Sequence, residues 1–149
     1  MTTRSLQLAS ESETLALGAS LAEIARPGAV FALSGPLGAG KTCLARGLIG
    51  ALQPDVTDEI VSPTFTLVQT YETPRGVVWH FDLYRLKAAD EIIELGWEDA
   101  LQDICIIEWP ERLGTLLPRD RIDVVLAQDG PGRRATITGN HLGDNYLGR

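Results

Sequence analysis

The segment Gly35-Pro36-Leu37-Gly38-Ala39-Gly40-Lys41-Thr42 constrains this chain more than any other, because of what flanks it. Before it runs Ala29-Val30-Phe31-Ala32-Leu33, unbroken and apolar; after it Leu44, Leu48, Ile49 and Leu52 recur at helical intervals and stop before Pro54. The first reads as a strand covered on both faces, the second as a helix over 42–52. A glycine-rich turn between such elements aims backbone N–H groups at a phosphate, and the helix dipole adds its positive end. In the pattern Gly-x-x-x-x-Gly-Lys-Thr, residues Gly35, Leu37, Gly38, Ala39 and Gly40 form the cradle, and Lys41 reaches the β and γ phosphates. The Thr42 hydroxyl is placed to ligate magnesium, so ATP and Mg2+ are the expected cofactors.

The remainder fits an α/β domain built round that unit. Ser5–Ala9 reads as a short strand, and Ser10 with Glu13 matches a capping box opening a helix from about 11 to 26. That helix carries Thr14, Leu17, Leu21, Ile24 and Ala25 on one face and ends at Arg26-Pro27-Gly28. Phe65–Glu72 and Gly76–Tyr84 are β-branched or aromatic runs separated by Thr73-Pro74-Arg75-Gly76, the signature of a hairpin. Ala89–Leu101 predicts a helix split by Gly96, with Ile93, Trp97, Ala100 and Leu101 on its buried side. Asp103–Glu108 is a second buried strand, Pro110–Pro118 a loop with a helical piece, and Arg121–Ala127 with Arg133–Thr138 a final hairpin. The tail from Gly139 is polar and expected to fray. The predicted fold is a P-loop NTPase-like mixed sheet, a parallel core with antiparallel hairpins, flanked by helices in a single domain.

Hydrolysis needs a carboxylate at a strand end to hold the metal shell or orient water. Trp79-His80-Phe81-Asp82 and Ile104-Cys105-Ile106-Ile107-Glu108 each run apolar residues into an acid. Lys41, Asp82 and Glu108 are therefore the candidate catalytic residues, with Thr42, Glu108 and Asp82 the metal set; sequence does not rank the two acids. Ser62, Pro63 and Thr64 lie where proteins of this type keep a switch segment that senses the γ phosphate, although Ser-Pro is also an ordinary turn. Trp109 and Tyr84 suit either base stacking or the core. Arg133 and Arg134 read by default as exposed hairpin charge.

Composition excludes several classes. A net charge of −7 argues against an autonomous nucleic-acid binder, because Lys and Arg dominate affinity for phosphate backbones. No apolar run approaches the ~20 residues that span a bilayer, and the N-terminus lacks a signal-peptide core, so no membrane role and a cytoplasmic location are expected. Cys43 and Cys105 have no disulfide or zinc spacing and read as small buried residues.

Gly35 to Thr42, Ser62-Pro63-Thr64-Phe65, His80-Phe81-Asp82-Leu83-Tyr84-Arg85 and Ile107-Glu108-Trp109-Pro110-Glu111 together resemble, in order and spacing, the TsaE family of bacterial P-loop ATPases. The likeness covers roughly residues 5 to 138. It implies an ATPase that assists a TsaB-TsaD heterodimer in placing threonylcarbamoyl on adenosine 37 of certain tRNAs, meeting tRNA only indirectly. It also implies that Lys41 and Thr42 take the phosphate and magnesium roles, that Asp82 and Glu108 are the functional acids, that Trp109 lies near the nucleotide, and that residues 62–65 form a switch. Pro36 departs from the acid usual there and removes one N–H donor. The enzymatic rival is a shikimate-kinase-like small-molecule kinase, with Arg112, Arg119 and Arg121 as lid candidates. No Asn-Lys-x-Asp segment supports guanine reading.

Overall fold

A computed structural model describes residues 2–53, 63 and 66–139. Seven strands form one sheet: β1 (Thr2–Leu8), β2 (Val30–Ser34), β3 (Val68–Thr73), β4 (Gly76–Asp82), β5 (Ile104–Glu108), β6 (Ile122–Asp129) and β7 (Gly132–Gly139). Their spatial order is β1-β7-β6-β2-β5-β4-β3. Neighbours among β6, β2, β5 and β4 run parallel, whereas β1/β7, β6/β7 and β3/β4 pair antiparallel. The mixed sheet expected from the sequence is the one observed.

Helix α1 (Glu11–Leu21) and helix α2 (Lys41–Leu52) share a face of the sheet, where Leu17, Leu21, Leu44, Leu48 and Ile49 meet Phe31, Leu33, Ile104 and Ile106. On the opposite face Phe81, Cys105 and Ile107 pack against Ile92, Trp97, Ala100 and Leu113. Both sides of β2 and β5 are thus sealed, which is why those strands lack polar alternation.

Several boundaries move for identifiable reasons. The capping contact at Ser10 forms, with its Oγ accepting from Glu13 N at 3.3 Å, but the Glu13 carboxylate reaches Ala9 N at 3.2 Å rather than Ser10. α1 stops at Leu21 and tightens into a 3₁₀ turn, Ala22–Ile24. Arg75, on the β3–β4 turn, donates one guanidinium nitrogen to the carbonyls of Ala22, Glu23 and Ala25 at 2.7, 3.0 and 3.1 Å, satisfying the frayed end. Gly96 splits the next helical stretch as expected, with φ +94 between a 3₁₀ segment, Ala89–Leu95, and the single turn α3 (Trp97–Ala100). The 3₁₀ winding changes the phase, so Ile93, expected inside, is 51% exposed and Ile92 is buried instead. Cys105 is buried, but Cys43 is only partly so, correcting the expectation for that residue. Among the described residues no helix is long and apolar enough to cross a membrane.

The two helices touch through glycine. A Cβ on Gly47 would be driven into the carbonyl of Leu15, with its carbon at 2.9 Å, and one on Gly18 into the carbonyl of Leu44. Because the obstacle is backbone, it has no rotamer with which to yield. Gly47→Ala is expected to destabilise the fold by about 3 kcal/mol, read as a lower midpoint in urea unfolding; an unchanged midpoint would refute the close crossing.

Candidate active site

The chain leaves β2 at Ser34 and enters α2 at Lys41 through a loop that only glycine permits at its ends. Gly35 has φ +143 and any Cβ there would strike the carbonyl oxygen of Leu126; Gly38 has φ +78 with open space on its outer side. Gly40 caps α2 in a left-handed conformation, leaving the first N–H groups of the helix facing outward. The loop borders a cavity of about 600 Å3 whose wall includes Leu37, Gly38, Gly40, Lys41, Thr42, Asp82, Glu108 and Trp109. Gly35 and Ala39 are not on that wall; Ala39 is buried, and its N–H closes a turn onto the carbonyl of Pro36 at 3.1 Å.

Lys41 is 5% exposed and its ammonium donates to the carbonyl of Gly35 and, at 3.0 Å, to that of Pro36. It also stands 3.9 Å from the ring centroid of Trp109, a cation–π contact. Burial pulls the Lys41 pKa below the usual lysine value, and the carboxylates of Glu108, Glu111 and Asp82 push back. Pro36 offers no N–H, yet its carbonyl accepts from both Ala39 and Lys41 and so helps set the loop.

The acids arrive on adjacent parallel strands. The β4/β5 register sets Asp82 directly opposite Glu108, and β2 lies on the other side of β5 with Leu33 opposite Glu108. The hydroxyl of Thr42 donates to Oε1 of Glu108 at 2.9 Å, with Oε2 at 3.2 Å. Asp82 is 6% exposed and its Oδ1 accepts from Tyr84 N at 3.1 Å. A hydroxyl and two carboxylates on one cavity wall are the hard oxygen donors that magnesium takes, and the buried lysine beside outward N–H groups suits a polyphosphate, so the residues present fit both groups.

Trp109 follows Glu108 with φ +60, uncommon for a side chain of that bulk, and its N–H extends the β2 ladder to Leu33 O at 3.3 Å. Its ring meets Tyr84 with centroids 4.9 Å apart. Ser62 and Thr64 lie outside the described residues; Pro63, buried, accepts from Leu67 N at 2.8 Å. Two further residues border this site, Arg133, expected to be exposed charge, and His80, to which the sequence assigns no role. Arg133 is not simply exposed hairpin charge: it lines the cavity and donates to Gly38 O at 3.0 Å, whereas Arg134 does sit outside, paired with Asp129 at 2.9 Å. His80, fully buried, lies 2.7 Å from Oε2 of Glu108. Its signal was available: in an alternating strand, His80 and Asp82 must share a face.

Comparison with known proteins identifies the family. The family model "Threonylcarbamoyl adenosine biosynthesis protein TsaE" matches residues 8–136. The chain is 43% identical over 136 residues to the tRNA threonylcarbamoyladenosine biosynthesis protein TsaE of Rickettsia conorii, covering 90% of this chain and 77% of that one. The protein of the same name from Bacillus subtilis is 35% identical over 136 residues, covering 90% and 83%. The crystal structure of Bacillus subtilis YdiB superposes with a TM-score of 0.73 at 30% identity, covering 98% of this chain and 90% of that one. A family match over residues 8–136, with relatives 35% and 43% identical across most of the chain, leaves one assignment: the chain belongs to the TsaE family of threonylcarbamoyl adenosine biosynthesis proteins.

Proposed function

We propose that this chain is a Mg2+-dependent ATPase, stimulated by a TsaB-TsaD heterodimer, that supports threonylcarbamoyl modification of tRNA adenosine 37 without performing the transfer. The observation that carries the ATPase reading is the 2.9 Å contact between Thr42 and Glu108 on a cavity wall that also holds Lys41 and Asp82. Family membership supplies the pathway. Magnesium, when bound, would neutralise the charge that builds on the phosphate oxygens. Thr42 and the two acids would hold it, directly or through water. Lys41 would turn from the loop carbonyls to the β and γ phosphates, and the N–H groups of Gly40 to Thr42 would face the phosphate chain. Glu108 would orient the attacking water. Trp109, which covers the Lys41 ammonium, would exclude solvent from that end.

The kinase alternative gains nothing from the geometry. Arg121, one of its lid candidates, is held by Asp123 at 2.8 Å and by the carbonyl of Pro118 at 2.7 Å. The deciding experiment measures threonylcarbamoyladenosine formed on tRNA from threonine, bicarbonate and ATP, using the donor-forming enzyme and the TsaB-TsaD heterodimer, with and without this chain. The expected result is multiple turnover only when the chain is present, with phosphate release stimulated by the heterodimer. Multiple turnover in its absence overturns the reading.

A further inference from the structure

Glu108 is held from two sides, and only one of them belongs to the metal and phosphate machinery. The second is His80, which is fully buried and which strand alternation puts on the same face of β4 as Val78 and Asp82. The register pairs His80 with Ile106 and Asp82 with Glu108, so His80 reaches Glu108 on the diagonal. Its Nε2 meets Oε2 of Glu108 at 2.7 Å, while Nδ1, fully enclosed, has no hydrogen-bond partner among the described residues.

That asymmetry selects the tautomer. A neutral imidazole carries one donor and one acceptor nitrogen. Hydrogen on Nε2 gives the carboxylate a donor and leaves only a lone pair bare at Nδ1. Hydrogen on Nδ1 would instead bury an orphan N–H and set a lone pair against Oε2. Here one nitrogen is left bare and the other is committed to the site's acid.

We propose that His80 is a positioning residue for ATP hydrolysis, whose Nε2–H pins Oε2 of Glu108 and leaves Oε1, the oxygen nearer Thr42, to face the attacking water. The inference rests on the ATPase reading above. In the reaction, water oxygen bonds to the γ phosphorus, the bond to the β-phosphate oxygen breaks and ADP leaves with its electron pair. The water proton passes to Oε1 of Glu108, and His80 keeps its own proton throughout.

Three variants test this alongside wild type. His80→Gln places an amide N–H close to the Nε2 position; His80→Asn is too short to reach Oε2; His80→Leu fills the space without a donor. With the heterodimer present, His80→Leu and His80→Asn are expected to lose at least about tenfold in kcat with nucleotide Kd within about threefold of wild type, and His80→Gln to stay within about threefold in both. Independently of activity, the 15N imidazole spectrum of the protein without nucleotide is expected to place a single His80 proton on Nε2. A wild-type rate in the Leu or Asn variant, a Gln variant as slow as the Asn variant, or a proton on Nδ1 overturns the inference. Should His80→Leu fail to fold, the Gln and Asn pair and the spectrum decide. Wild type that hydrolyses no ATP instead overturns the ATPase reading, and this inference with it.

Discussion

Lys41→Ala is expected to reduce kcat/KM for ATP at least about 100-fold, the loss typical of removing one preorganised charge from a phosphoryl-transfer site. Lys41 is 5% exposed and its ammonium is held by two loop carbonyls, so the charge is kept beside the glycine loop before any ligand arrives. Alanine removes that charge and also the cation beneath Trp109. The carbonyls of Gly35 and Pro36 lie on a partly exposed loop where water can replace the lysine, so thermal stability should change little by comparison. Phosphate release and calorimetric titration with a nonhydrolysable ATP analogue, run beside a melting curve, separate the effects. Hydrolysis at the wild-type rate would remove Lys41 from the site and the ATPase assignment with it.

Glu108→Gln is expected to lower hydrolysis by about 10² to 10⁴ while nucleotide affinity stays within about tenfold. The glutamate accepts from Thr42 most closely on Oε1, at 2.9 Å against 3.2 Å for Oε2, and faces His80 with Oε2. Glutamine keeps one acceptor and substitutes an amide N–H2 for the second. Thr42 can adapt, because a hydroxyl accepts as well as donates, so the amide oxygen is expected to turn toward His80. What is lost is the negative charge that orients and deprotonates water. Assayed for tRNA modification, the same variant separates two roles of ATP: modification at the normal level would mean that occupancy suffices, and its loss that turnover is required. Hydrolysis at the wild-type rate would show that Glu108 is not the base.

The parts of this fold that sequence made legible are those where a single local rule governs. The apolar runs of β2 and β5, sealed on both faces, and the glycine spacing between β2 and α2 admit few alternatives. Gly96 broke its helix as composition requires. Ile93 went wrong because the segment winds as 3₁₀, and its period of three carries Ile92 inward instead. Arg133 and His80 escaped for a different reason. Each acts on a partner far along the chain, Gly38 and Glu108, and only the strand order and register bring those pairs together. Both acids stand out as candidates because an acid ending an apolar strand is a local pattern; that they stand opposite one another is a property of register alone.

That register distributes stiffness unevenly. Leu83 N–H donates to Glu108 O at 3.1 Å, Trp109 N–H to Leu33 O at 3.3 Å and Asp82 N–H to Leu67 O at 3.0 Å, so the ladder continues through and past both acids. The acid wall is anchored in the sheet, whereas the rest of the cavity is bordered by the glycine loop, the start of α1 and the β6–β7 turn. The acids are thus the part of the cavity with the most backbone support, a fixed surface against which a bound molecule is held.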